Sequence, residues 1–211
     1  TPIKLGVPGE VEYAGKGVSY CAICDGAFFK GHTIAVIGGG DAAAEESDFL
    51  TRYAEKVYLI HRRDELRASK ILQKRLFDNP KIEVIWDTLV ERVEADEQGF
   101  VHNLKLRNVK TGAESDLAAT AMFVFIGFRP NTGIIEGHVD HDEMGYLLTD
   151  TNMETSIDGL FAAGDVRSQL TRQVTTAAGD GTTAAIAAEK YLASLRDSSV
   201  GRIVATGGYA V

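Results

Sequence analysis

Short apolar runs along the chain predict strands that alternate with helices. A β-branched run from Thr33 to Ile37 ends in three glycines, and helix-forming residues follow from Asp41 to about Tyr53. A second apolar run, from Val57 to Ile60, predicts the next strand. Strand, glycine turn, helix and strand make a βαβ unit, which requires parallel strands joined by a right-handed crossover.

The pattern after this unit predicts a helix, a strand and a small antiparallel sheet. Leu66 to Phe77 has helical spacing and stops before Pro80, because proline disfavours a helical residue in front of it. Ile82 to Trp86 predicts a strand. Between Leu89 and Ala119, short alternating runs with a turn at Lys110 to Gly112 predict a β-meander inserted into the α/β unit.

The remaining residues predict a second domain. Met122 to Ile126 predicts a buried strand, and the segment from Gly127 to Asn131 marks a domain boundary. Leu160 to Ala163 and an alanine-rich stretch from about Thr182 to Leu195 repeat the order of strand and helix. The expected division is a linker, a first domain and a second domain, at residues 1–17, 18–128 and 129–211 respectively.

Composition excludes some classes of function. The net charge is −8, and acidic or apolar residues interrupt both basic clusters, which disfavours nucleic acid as a partner. No apolar run has the length of a membrane span, and residues 1–10 lack the pattern of a secretion signal. We therefore expect a cytoplasmic protein without a membrane partner.

The glycine turn after the first strand of the βαβ unit fits the fingerprint of dinucleotide-binding proteins. The first glycine permits the sharp turn, the second permits close approach of a pyrophosphate, and the last small residue lets the helix pack on the strand. The helix N-terminus would attract the phosphates. The alternative is a glycine-rich turn that binds nothing. The residues concerned are Gly38, Gly39, Gly40, Asp41, Ala42 and Ala43.

Basic residues follow the second strand, where an NAD-binding protein has an acidic residue for the ribose 2′-hydroxyl. They are His61, Arg62, Arg63 and, further on, Arg67. A guanidinium group matches a phosphate bidentately, so the arginines favour NADPH over NADH. The alternative is a solvated basic turn paired with Asp64 and Glu65.

Cys21 and Cys24 have the spacing of a redox dithiol. Two alternatives remain open. The pair could supply half of a zinc site completed by His138 and His141, or it could be buried and inert. Asp25 after the second cysteine could move protons during dithiol exchange, although an Asp before Gly is also a common turn residue.

Several motifs, in order along nearly the whole chain, resemble bacterial-type (low-molecular-weight) thioredoxin reductases. They are Gly17 to Gly26, Ile34 to Ala43, His61 to Asp64, Phe123 to Asn131, Gly159 to Val166, and Arg172-Gln173-Val174. The resemblance implies an α/β fold: a Rossmann-like NADPH-binding domain with the inserted β-meander, followed by the C-terminal portion of an FAD-binding α/β domain.

The resemblance also implies roles for individual residues. Cys21 and Cys24 would form the redox disulfide, with Cys24 facing the flavin and Cys21 attacking the partner, and Asp25 would be the acid/base. Asp165 would accept a hydrogen bond from the ribityl chain of FAD. Further cofactor-binding positions would be Ile126, Gly164, Arg172, Gln173 and Val174.

The implied activity is electron transfer from NADPH through FAD to the disulfide and on to thioredoxin or a thioredoxin-like protein, in a homodimer. The family begins with an FAD-binding βαβ unit that has its own glycine fingerprint, and this sequence has one fingerprint, the one assigned to NADPH. Phe128-Arg129 also departs from the family's crossover. Three alternatives are a peroxiredoxin-type acceptor, a stand-alone NADP-binding module without redox activity, and a zinc-stabilised structural domain.

Overall fold

The computed structural model describes residues 1–206, with side chains through residue 196, and divides into two compact units. The larger unit is Pro2–Phe128, and the smaller comprises Thr1 and the chain from Arg129 onward. None of the helices in the described part of the chain combines the length and apolar character that a bilayer span needs.

The larger unit contains eight strands and three α-helices. The strands are β1 (Val18–Ser19), β2 (Thr33–Gly38), β3 (Lys56–Ile60), β4 (Ile82–Ile85), β5 (Thr88–Ala95), β6 (Val101–Asn108), β7 (Glu114–Ala118) and β8 (Ala121–Phe125). The helices are α1 (Ala22–Asp25), α2 (Asp41–Leu50) and α3 (Lys70–Asp78).

Five of these strands form a parallel sheet in the order β1-β8-β2-β3-β4. The central strands are apolar throughout because both faces of the sheet are covered. Ile34 and Val36 belong to the core shared with α2 and α3, whereas Ala35 and Ile37 belong to the core shared with β5 and β6. Successive side chains of β2 therefore pack alternately into the two cores.

The predicted β-meander is present as an antiparallel sheet in the order β5-β6-β7. Val90, Val93, Leu104 and Leu106 are its inward-facing apolar residues, and they pack in the same core as Met122 of β8. The predicted α/β class, with a parallel sheet and a separate meander, is confirmed.

Two helices have different limits from those predicted. Helix α2 ends at Leu50, and a turn follows over residues 51–53. Helix α3 begins at Lys70 rather than Leu66, because the amides of residues 67 and 68 donate to the carbonyl oxygen of Gly39 and the amide of Ser69 donates to the carboxylate of Asp41. These contacts join distant parts of the chain, so the local sequence pattern cannot predict this helix boundary.

The smaller unit has a small apolar cluster and one long helix, α4 (Val174–Thr206). The helix begins before the predicted start at Thr182. The predicted strand at Leu160–Ala163 is wrong: in the described residues that segment makes a single antiparallel bridge, between Glu154 and Phe161. A short 3-10 turn, Gly164–Val166, follows it.

Candidate functional site

Gly38 ends β2 where the strand meets α2. A Cβ atom there would lie 2.5 Å from the Cβ of Ala43 and 2.5 Å from the carbonyl oxygen of Phe125. No side chain fits in that space, and Ala43 is itself fully buried. The close packing of helix on strand therefore depends on small residues at both fingerprint positions.

Gly40 is the N-cap of α2, and no side chain caps the helix. A Cβ atom built there would have no neighbour within 4 Å, so packing within the chain does not require a glycine at this position. The uncapped amide groups of the first helical turn and the positive end of the helix dipole lie beside this open space. The arrangement suits a bound phosphate group.

A cleft of about 400 Å³ opens beside this turn. It lies at the carboxyl ends of β2, β3 and β8, which is the edge of a parallel sheet where ligands bind. Six of the residues singled out from the sequence line it together: Gly38, Gly39, His61, Arg62, Arg67 and Ile126. Lys4, Leu5 and Thr88 also line it, and no local motif identifies them.

The loop from residue 61 to residue 69 carries the arginines and is fixed to the glycine turn. The amides of Arg67 and Ala68 donate to the carbonyl oxygen of Gly39, at 2.7 and 3.2 Å. The amide of Ser69 donates to Asp41 Oδ1 at 2.6 Å. Asp41, predicted as a cofactor residue, is therefore also an anchor for this loop.

The arginine side chains are exposed and available to a ligand. Arg62, Arg63 and Arg67 make no ion pair with any side chain that the structure describes. Asp64, which could have neutralised them, is paired with Lys110 instead, at 2.7 Å. The alternative of a basic turn paired with its own acidic neighbours is thus not supported at Asp64.

His61 differs from the arginines that follow it. Its side chain is buried, with 6% exposed, and its ring meets Trp86 edge-on with centroids 6.3 Å apart. Burial lowers the pKa of His61; backbone hydrogen bonds to Gly38 and Glu65 oppose this shift, and the charges of Arg62 and Arg63 add to it. The residue forms part of the cleft wall.

The two cysteines form a disulfide at the start of α1, directly after β1. Cys24 is exposed and Cys21 is half-buried. The amide of Cys24 donates to Cys21 Sγ at 3.2 Å, an arrangement that stabilises negative charge on that sulfur once the bond is reduced. The pairing leaves neither thiol free for zinc, and within the described residues no group of three or more His, Cys, Asp or Glu side chains is arranged to hold a metal.

Asp25 is half-buried and oriented by Ser19. The Ser19 hydroxyl donates to Asp25 Oδ2 at 2.6 Å and accepts from the Cys21 amide at 3.1 Å. This hydroxyl joins the carboxylate to the backbone of the first cysteine. Nothing in the sequence motif alone identifies Ser19 as that link.

A second cleft, of about 630 Å³, is lined by Ser19 and Asp25 and lies in the same compact unit. Phe28, four residues after Cys24, is 79% exposed at its wall, and Phe100 is 54% exposed. An exposed phenylalanine four residues after the exposed Cys24 provides an apolar contact surface for another molecule. Sequence reasoning missed this surface, because an apolar residue in a helical segment usually indicates core.

The smaller unit holds the remaining predicted cofactor residues. Asp165 is exposed and has no partner among the described side chains. The amide of Gly164 donates to Asp180 Oδ2 at 3.0 Å, and Asp180 is also paired with Arg167 at 2.8 Å, which fixes the turn before α4. The guanidinium of Arg172 stacks 4.0 Å from the ring centroid of Tyr146. Gln173 and Val174 lie at the start of α4.

Comparison with known proteins accounts for this combination of features. The profile of the pyridine nucleotide-disulphide oxidoreductase family matches residues 1–181. Thioredoxin reductases of Bacillus subtilis and Streptomyces coelicolor are 47% and 51% identical over 195 residues. The matches cover 92% of this chain and 61% and 60% of those proteins.

Solved structures of thioredoxin reductases show the same similarity. The thioredoxin reductase of Streptococcus pyogenes superposes with a TM-score of 0.89 at 47% identity, over 92% of this chain and 63% of that one. That of Giardia duodenalis gives 0.84 at 41% identity, over 92% and 63%. The chain thus spans about three fifths of the length of the relatives that it matches. The resemblance to thioredoxin reductases expected from the motifs is confirmed, and the chain belongs to the pyridine nucleotide-disulphide oxidoreductase family.

Proposed function

We propose that this chain is part of an NADPH-dependent flavoprotein disulfide reductase whose Cys21–Cys24 disulfide accepts electrons and passes them to thioredoxin or a thioredoxin-like protein. One observation carries the proposal. A single compact unit holds both an exposed disulfide and a dinucleotide-type cleft with unpaired arginines at its rim. A stand-alone nucleotide-binding module would have no use for the disulfide.

The residues present fit both cofactors. Gly40 and the uncapped start of α2 would hold the pyrophosphate of NADPH, and Arg62 and Arg63 would hold its 2′-phosphate. Asp165 has a free carboxylate that would accept a hydrogen bond from the ribityl chain of FAD. When bound, NADPH supplies a hydride and FAD relays the electron pair to the disulfide.

Once reduced, the dithiol would act on the partner by thiol–disulfide exchange. The Cys21 thiolate attacks one sulfur of the partner's disulfide, forming a mixed disulfide and releasing the partner's other sulfur as a thiolate. Cys24 then attacks Cys21 Sγ, which restores the Cys21–Cys24 bond and releases the second partner thiolate. Asp25, oriented by Ser19, would supply a proton to a leaving thiolate.

The partner would dock over the cleft beside Asp25, with Phe28 as an apolar contact. A thioredoxin is the favoured partner because the curated relatives bear the name thioredoxin reductase. A peroxiredoxin-type partner would use the same surface. The family resemblance further supports a cytoplasmic homodimer.

Single serine variants test the roles of the cysteines. In the protein loaded with FAD, we expect Cys21→Ser and Cys24→Ser to abolish thioredoxin reduction by NADPH and to leave NADPH affinity unchanged. Cys24→Ser should also accumulate a mixed disulfide between Cys21 and thioredoxin, because the resolving sulfur is missing. Turnover is followed by NADPH absorbance and the adduct by mass.

Retained turnover in either variant would remove the dithiol from the mechanism. Tight NADPH binding by the wild-type protein without reduction of the disulfide would favour the stand-alone module. Rapid turnover with a peroxiredoxin-type protein and none with thioredoxin would identify a different partner for the same dithiol mechanism.

A further inference from the structure

Lys110 connects three separate segments at the rim of the nucleotide cleft. It lies in the turn between β6 and β7, and its Nζ is 2.7 Å from Asp64 Oδ2 and 3.0 Å from Asp87 Oδ2. Asp64 belongs to the arginine loop, and Asp87 lies between β4 and β5. One ammonium group thus neutralises carboxylates from two loops that follow adjacent strands.

Backbone hydrogen bonds join the same three segments. The amide of Asp87 donates to the carbonyl oxygen of Arg63 at 3.2 Å, and the amide of Val109 donates to the carbonyl oxygen of Asp87 at 2.6 Å. Asp87 adopts a left-handed conformation, with φ of 51°, which a non-glycine residue keeps only when its surroundings hold it there. The backbones of the three segments are therefore held together, and the turn that carries Lys110 has a fixed place beside the arginine loop.

The Lys110–Asp64 ion pair is too exposed to contribute much to folding stability, whereas the Asp87 side chain is only 16% exposed. The side chains of Lys110 and Asp64 are 56% and 70% exposed, and surface pairs of this kind are weak. The hydrogen bond and charge of Lys110 nevertheless lower the pKa of Asp64. Without Lys110, an ionised carboxylate would stand unpaired directly after Arg63.

We propose that Lys110 is a specificity-determining residue for the 2′-phosphate of the nucleotide, acting by holding Asp64 and Asp87 away from Arg62 and Arg63. The inference rests on the proposed NADPH site and adds a residue that touches neither the nucleotide nor the arginines. A released Asp64 carboxylate would compete for the guanidinium groups and repel the phosphate. NADH lacks that phosphate, so its binding would change far less.

The test is a set of titrations of the chain with NADPH and NADH. Lys110→Met should weaken NADPH binding about two- to fivefold, the range expected for one exposed charge pair, and leave NADH binding unchanged. Lys105→Met is the matched control, because Lys105 pairs with Asp116 at 2.6 Å on the same meander, between β6 and β7. This control should retain wild-type affinity for both nucleotides.

A second substitution distinguishes a charge effect from a structural one. Adding Asp64→Asn to Lys110→Met removes the released carboxylate and should restore most of the lost NADPH affinity. No rescue, or equal loss of NADPH and NADH binding in Lys110→Met, would overturn the inference. A wild-type chain that binds both nucleotides equally would instead refute the proposed cofactor, and this inference with it.

Discussion

Gly39 and Gly40 are adjacent in the turn after β2 but have different surroundings. A Cβ atom on Gly39 would lie 2.1 Å from Cε1 of the His61 ring, which is itself packed against Trp86. A Cβ atom on Gly40 would meet nothing within 4 Å. The chain's own packing therefore requires a glycine at position 39, whereas it leaves open space beside Gly40.

This difference predicts two separable phenotypes. Gly39→Ala must displace His61, so we expect the free energy of unfolding to fall by about 1–3 kcal/mol, as in other overpacked cores. Gly40→Ala should change it by less than about 1 kcal/mol but weaken NADPH binding about tenfold, because the methyl group occupies the path of the pyrophosphate. Denaturant unfolding and nucleotide titration measure the two quantities. An equal loss of stability in both variants would contradict the separate roles of Gly39 in packing and Gly40 in binding.

At the level of elements, the site consists of the β2–α2 turn and the loop between β3 and α3. The carbonyl oxygen of Gly39 and the carboxylate of Asp41 hold the backbone of that loop at residues 67–69. This fixes the arginines near the carboxyl ends of the strands without engaging their side chains. The proposed nucleotide specificity would thus come from the arginine side chains, and the position of the loop comes from Gly39 and Asp41.

Single arginine substitutions should therefore alter nucleotide preference and leave the fold intact. Arg62→Ala and Arg63→Ala should each weaken NADPH binding about tenfold or more, which is typical for the loss of a charge-assisted hydrogen bond to phosphate, with NADH binding unchanged. Arg75→Ala is the control, since Arg75 is an exposed arginine in the last turn of α3. Isothermal titration gives the affinities. An unchanged NADPH:NADH ratio in both loop variants would place the 2′-phosphate elsewhere.

Local pattern was sufficient to predict the βαβ unit, because β2 and β3 are short apolar runs and the glycines lie between them. It was also sufficient for the meander, where alternation continues along β5 and β6. It failed at the start of α3, where long-range contacts decide the structure, and at Leu160–Ala163, where the described residues provide a single bridge and no partner strand. Lys110 and Ser19 were not identified for the same reason: their roles depend on Asp64 and Asp25, which the fold brings to them.

At the scale of the whole molecule, the predicted cofactor residues fall in two units. The glycine turn, the arginine loop and the disulfide belong to the larger unit, and Asp165 with the start of α4 belongs to the smaller. The chain spans about three fifths of its relatives' length. The proposed function gives these parts one common purpose, the transfer of electrons from NADPH to the Cys21–Cys24 bond.

Thiol labelling tests that claim most directly. The FAD-loaded protein is incubated without oxygen with NADPH, or with NADH at the same concentration, and then alkylated and analysed by peptide mass. We expect both Cys21 and Cys24 to be alkylated after treatment with NADPH, and both to remain largely disulfide-bonded after treatment with NADH. An intact disulfide after NADPH treatment, in protein shown to hold FAD and NADPH, would contradict it.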